Sequence, residues 1–211
     1  MHWGEAGPAD PSKAQSGIII IPLAQMDSSA EALSFLQQQK SLGYSIKESN
    51  DPKEMIKMGK DYHNEINDNP DPTDTSMKSN LSKVKLAFKF KPISFINPVG
   101  FAVGGMYIQD SGWTAITTFF NDKDLGACKF KLNNMKLSQG AVRIAKETVR
   151  YDINKKVTNV FVEGSTHSGF IYNVDWNDPT FNYFLECANM NFDKDITNRM
   201  IELAKKIDKN S

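Results

Sequence analysis

The chain has 211 residues, 40% apolar and 24% charged, and its 25 basic and 25 acidic side chains cancel to a formal charge of zero. That balance belongs to a folded protein with a real core and argues against wholesale disorder. A sequence pI near 6.8 removes the global field that draws basic domains to nucleic acid or anionic membrane. No apolar run approaches the ~18–20 residues of a membrane-spanning helix.

Residues 1–16 read as a flexible lead-in, because Gly4, Gly7, Pro8 and Pro11 interrupt any period. They carry neither the basic nor the apolar region of a signal peptide. The small polar residues from Gly4 to Gly17 suit the mature start of an exported protein, and a cytoplasmic chain is the alternative. Residues 17–66 predict a short strand followed by helices that pack on a sheet. Gly17 to Ile21 is β-branched and stops at Pro22, which favours a strand at a sheet edge. Asp27 or Ser28 is placed to cap a first helix, with Glu31 completing a capping box, Leu33, Leu36 and Ala32 as its apolar face, and Gly43 as its stop. A second helix starts after Asp51 with Pro52 at the first helical position, and Met55, Ile56, Gly59, Tyr62 and Ile66 fall near a helical stripe.

Residues 67–80 hold two prolines among small polar side chains and read as a linker. Beyond them, in residues 81–211, the apolar period changes from about 3.6 to 2. Val84, Leu86, Phe88 and Phe90 alternate with Lys85, Ala87, Lys89 and Lys91, which predicts a half-buried strand closed by Pro92. Phe101 to Gln109 and Trp113 to Phe120 form a hairpin through Asp110–Gly112, and Asn121 to Gly126 turns the chain into a strand through Cys128. From Gln139 to Lys156 helical and strand periods compete, and a strand is expected from about Lys146. Val157 to Glu163 and Phe170 to Trp176 flank the turn Gly164–Gly169, and Thr180 to Asn189 makes a further strand. Ile196, Met200, Leu203 and Ile207 mark a closing amphipathic helix capped by Asp193 or Asp195. The expected class is α+β: an antiparallel meander of about six or seven strands with N-terminal helices and a C-terminal amphipathic helix.

Cys128 and Cys187 are the only cysteines, and each shares a strand face with apolar neighbours: Phe130 and Leu132 for the first, Phe181, Tyr183 and Leu185 for the second. Two core-facing positions on neighbouring strands suit a disulfide; two buried free thiols are the alternative.

Catalytic grammar is sparse. His167 lies between Ser165 and Ser168 on a turn, with Asp175 and Asp178 nearby in sequence, but no GxSxG elbow accompanies them. His63, between Asp61 and Glu65, reads as a surface residue. Asp68, Asp71 and Asp74 superficially resemble a calcium loop, yet two prolines break its backbone and its glycine is missing. No zinc spacing is present, and no metal or cofactor is implied. Gly100, Gly104 and Gly105 do not follow a phosphate-binding pattern and mark a bulge or a close approach.

Two binding surfaces suggest themselves. Lys85, Lys89 and Lys91 with Lys129 and Lys131 would form a cationic patch if their strands lie together; without interleaved aromatics it would not serve nucleic acid. Trp113, Tyr172 and Trp176, with Phe170, would line an apolar cup. The sequence therefore points to a non-enzymatic, exported (periplasmic or secreted) bacterial-type binding or accessory domain that recognises a protein or small ligand through its sheet face or an apolar pocket. The alternatives are a hydrolase-like enzyme assembled around His167 and a cytoplasmic interaction protein with free thiols.

Overall fold

The computed structural model describes residues 5–6, 17–26, 29–61 and 81–211. The expected lead-in, the Asp27/Ser28 cap, Tyr62, His63, Ile66, the linker and the calcium-like acids lie outside them, apart from Glu5–Ala6. The chain is α+β, with four α-helices and a mostly antiparallel seven-stranded sheet among the described residues. The strands are β1 (Glu5–Ala6), β2 (Gly17–Ile21), β3 (Ser45–Ile46), β4 (Pro98–Ile108), β5 (Gly112–Asp122), β6 (Gly126–Asn134), β7 (Ala141–Ala145), β8 (Val157–Ser165), β9 (Gly169–Asn177) and β10 (Phe181–Asn189). The helices are α1 (Ser29–Leu42), α2 (Asp51–Asp61), α3 (Met135–Ser138) and α4 (Lys194–Lys209).

The main sheet runs β3-β8-β9-β10-β6-β5-β4: two hairpin-linked triplets, β8-β9-β10 and β6-β5-β4, meet where β10 pairs with β6, and the short β3 flanks β8 as a seventh strand. A single consecutive meander was expected. Instead the chain leaves the sheet after β6, passes through α3 and β7, and re-enters at β8 on the far side. The excursion builds a second sheet, β1-β7-β2, in which β2 runs parallel to β7; β3 is likewise parallel to β8.

Alternation gives the main sheet two different faces. Cross-strand register aligns Val162, Tyr172, Cys187, Cys128 and Phe120 in one row, and Val160, Val174, Leu185, Phe130 and Thr118 in the next. Phe130, Trp176 and Tyr183 stack with centroids 5.2 to 6.4 Å apart. Helix α4 closes this face with Met200, Ala204 and Ile207, all fully buried. Asp193 caps the helix by accepting from Asp195 N–H. At its other end Asp208 accepts from Trp176 Nε1 at 3.0 Å, Lys156 Nζ at 2.7 Å and Asn154 Nδ2 at 2.7 Å, tying the last turn to the sheet. Tyr172 fixes the entry to α4 by donating to Asn191 O and accepting from Asp193 N–H.

Cys128 and Cys187 sit directly opposite each other on β6 and β10 and are joined, with Cα atoms 4.1 Å apart. That separation matches the narrow, non-hydrogen-bonded site of an antiparallel pair. The bond lies at the junction of the two triplets.

Three local expectations need correction. Residues 84–97 do not form a strand. Because β6 occupies the edge of β5, the segment gains one bridge, Leu86 to Trp113, beyond the end of that pairing. Its alternation reflects an extended chain lying on the core, with Phe88 against Phe181 and Phe90 against Phe101. The strand expected from about Lys146 is instead β7, where Val142 and Ile144 point inward and Arg143 outward; a 3-10 turn, Lys146–Thr148, ends it. On α1, Leu33 is 53% exposed, and the inward stripe is Ala32, Phe35, Leu36 and Gln39. Gly43 does end α1, at φ +83 and close under the Phe192 ring.

Candidate functional site

The opposite face of the main sheet is polar, and α2 packs across one end of it. Pro52, Met55, Ile56 and Gly59 form the inward stripe of α2. At Gly59 the helix comes so near the sheet that a Cβ would stand 2.8 Å from both Ala127 Cβ and Asn121 Oδ1. Asn121 Nδ2 donates to Gly59 O at 2.9 Å and sets this approach. Beside the contact the helix and sheet diverge and leave a groove of about 300 Å³.

One lateral row crosses the groove floor. Register places Phe119, Lys129, Glu186, Asn173 and Phe161 side by side on β5, β6, β10, β9 and β8. Lys129 Nζ pairs with Glu186 at 3.0 Å. A second pair, Lys47 Nζ to Glu163 at 3.1 Å, stands at the β3 side. Partial burial pulls the Lys47 ammonium down, but the Glu163 carboxylate and the charge of Asp51 outweigh it and leave the group above the ordinary lysine value. Asn173 is 4% exposed and spends its Nδ2 on the carbonyls of Phe161 and Ile171. Its Oδ1 accepts from no described group and belongs to a side chain lining the groove. Met55, Met58 and Ile171 supply apolar walls, and Asp51 and Glu54 stand at the α2 lip.

Further along this face the polar row continues as a hydrogen-bonded network. Asp175 Oδ1 accepts from Asn177 Nδ2 at 2.9 Å and Asn182 Nδ2 at 3.0 Å, and all three residues are buried. Asn133 Oδ1, on the neighbouring strand, is buried with no partner among the described residues.

The structure scatters the other residues singled out by sequence. His167 is exposed at the β8–β9 hairpin tip, where Ser165 Oγ and Ser168 Oγ bond each other at 2.9 Å and Ser165 Oγ also accepts from the His167 and Ser168 N–H groups. That is a turn-stabilising arrangement. Asp175 lies well along β9; at about 3.3 Å per residue it is roughly 20 Å from the tip. Asp178 is engaged by Thr180 and Phe181 N–H and by Tyr183 OH. No nucleophile, base and carboxylate converge among these residues.

Trp113, Tyr172 and Trp176 are 8%, 1% and 0% exposed, so they are core rather than the rim of a cup. Lys85, Lys89 and Lys91 are exposed on the segment that covers the α4 face, whereas Lys129 and Lys131 belong to the opposite face. They do not form one patch. Of the surface residues named from sequence, only Lys129 lines the groove. Gly100 and Gly105 do mark bulges in β4, and Gly105 takes φ +74.

Sequence reasoning missed Glu186, Asn173, Glu163 and Lys47. Their signal was the second parity of the strands: in residues 181–189, Asn182, Phe184, Glu186 and Ala188 alternate with the core residues. A separate cleft of about 570 Å³ between α1 and the Leu23–Gln25 turn is lined mainly by Leu23, Leu33 and Leu36; Glu147, its acid, already accepts from Leu23 N–H at 2.9 Å. Among the described residues no three His, Cys, Asp or Glu side chains converge as a metal cluster, and no helix is long and apolar enough to cross a membrane. No protein-family model matches the chain, and no curated protein or solved structure is significantly similar to it.

Proposed function

We propose that this chain is a disulfide-bridged binding domain of an oxidising, extracytoplasmic compartment (periplasmic or secreted), and that it takes a small polar ligand into the groove under α2. The observation that carries the reading is the Lys129–Glu186–Asn173 row: two charges and a buried carboxamide held in fixed positions on a rigid sheet, opening into a cavity. Rigid polar groups among apolar walls are how a binding site fixes orientation at low ordering cost. At about 300 Å³ the groove is at the small end of ligand sites, which run to about 1,000 Å³. The buried disulfide supports export, since such bonds persist where thiols are not kept reduced.

The test is a ligand-observed NMR fragment screen against the wild-type protein and a Met58→Trp variant. Met58 lines the groove yet is 44% exposed, so an indole there fills the space without entering the core. Fragments that bind the wild type are expected to lose their signal in the variant. Fragments indifferent to the indole, or a screen without binders, would refute the assignment.

A further inference from the structure

The groove has a chemical preference written in its lining. Among its described lining residues, Asp51, Glu54, Glu163 and Glu186 face Lys47 and Lys129, an excess of two negative charges. The two lysines are held in the pairs Lys47–Glu163 and Lys129–Glu186, so neither ammonium is free to meet an anion. The excess sits on Asp51 and Glu54 at the lip; Asp51 acts on the Lys47 ammonium without forming an ion pair, and Glu54 is paired with no described cation. Opposite them, on the floor, the Oδ1 of Asn173 accepts from no described group, on a residue that is 4% exposed. Between lip and floor run the hydrocarbon walls of Met55, Met58 and Ile171.

An acceptor at the bottom, carboxylates in excess of cations at the top and hydrocarbon between them describe the complement of one kind of molecule. The geometry points to a primary ammonium on a short aliphatic stem as the ligand: a small diamine, or the side chain of a lysine presented by a peptide. One amine N–H group meets Asn173 Oδ1 while the methylenes lie along the methionines. The lip carboxylates draw the cation in and, for a diamine, hold its second charge. Anions are repelled by the same lip, and a neutral diol gains the apolar contact without the charge. Methionine suits such a wall because its unbranched thioether adapts to a flexible chain.

This inference rests on the groove being the binding site, and the experiment separates the two. Isothermal titration at low and at physiological salt uses three five-carbon probes, 1,5-diaminopentane, 1,5-pentanediol and glutarate, and adds Nα-acetyl-lysine N-methylamide to distinguish a free amine from a peptide side chain. Saturable binding of one or both amines is expected, weakening as salt rises. Binding should fall by about tenfold in an Asp51→Asn/Glu54→Gln double variant, as two exposed charge interactions would give. Glu54→Gln alone, with an intermediate loss, serves if the double variant melts early. If glutarate or pentanediol binds as well as the amines and Met58→Trp blocks it, the charge preference is wrong while the groove stands. Should none of the four probes bind, the amine assignment fails, and a fragment screen without groove binders would take the groove with it. Amine binding unchanged in the charge variants also refutes the inference.

Discussion

Breaking the Cys128–Cys187 bond removes the cross-link between the two strand triplets and leaves every hydrogen bond in place. The bond closes a loop with a sequence separation of 59. The chain-entropy model assigns such a loop about 4 kcal/mol of stabilisation, acting on the unfolded chain, and residual unfolded structure lowers the realised value. For a chain of this length 1 kcal/mol moves the melting temperature by about 2–4 °C, so loss of the bond should lower it by roughly 8–16 °C at most. Both cysteines are buried, at 2% and 0% exposure, so a reductant acts slowly on the native protein. The clean comparison is therefore calorimetry of the oxidised protein against protein reduced in denaturant, alkylation-free and refolded under reductant, alongside a Cys128→Ala/Cys187→Ala variant that also carries a small packing loss. Curves that superimpose within about 2 °C would refute the reasoning. So would two titratable thiols in unreduced, denatured protein from its native source, which would also remove the support for export.

Other consequences of the packing are as specific. Gly59→Ala drives a methyl into Ala127 and Asn121; urea unfolding should show a loss of about 1–3 kcal/mol, the usual cost of overpacking, and an unchanged midpoint would mean that α2 is not seated as described. Asp208→Ala leaves the buried Trp176 indole N–H and the Lys156 ammonium without their main acceptor; the expected cost by equilibrium unfolding is about 3 kcal/mol, and a loss under about 1 would contradict the anchoring of α4. Burial pushes the Tyr172 phenol up to about 12, and burial with the Asp178 carboxylate raises Tyr183 as well. Their folded values exceed the unfolded value near 10, so this contribution is intact below about pH 10 and is lost as pH rises from there toward 12. Urea midpoints measured from pH 8 to 11 should fall along this limb, and Tyr172→Phe/Tyr183→Phe should flatten it; an equally steep limb in the variant would refute the assignment.

Much of the sheet was legible because its signal is local. Parity alone placed Cys128 with Phe130 and Cys187 with Leu185, and turn residues such as Asp110–Gly112 and Gly164–Gly169 fixed the hairpins. What failed depends on neighbours. Val84 to Phe90 alternates as cleanly as any strand, but a strand also needs an unpaired edge, and β6 had taken it. The strand expected near Lys146 came five residues early because Ala141–Ala145 found partners in β1 and β2, which sequence does not announce. The site was the least legible part. Asn173, Glu186 and Glu163 occupy positions that read as solvent-facing by alternation. They become a groove floor only because Gly59 lets α2 reach Ala127, a contact between residues far apart in the chain. Conversely Trp113, Tyr172 and Trp176 looked like a ligand cup until α4 and the segment 84–97 covered the face that they share with the core.

The groove as the place of ligand contact is tested most directly by mapping amide resonances during a titration with 1,5-diaminopentane. Perturbations are expected on α2 around Asp51 to Met58 and on the strand positions around Lys129, Glu163, Asn173 and Glu186, with the α4 amides unmoved. Shifts clustered on α4 or around His167, with the α2 and groove-floor amides silent, would contradict it.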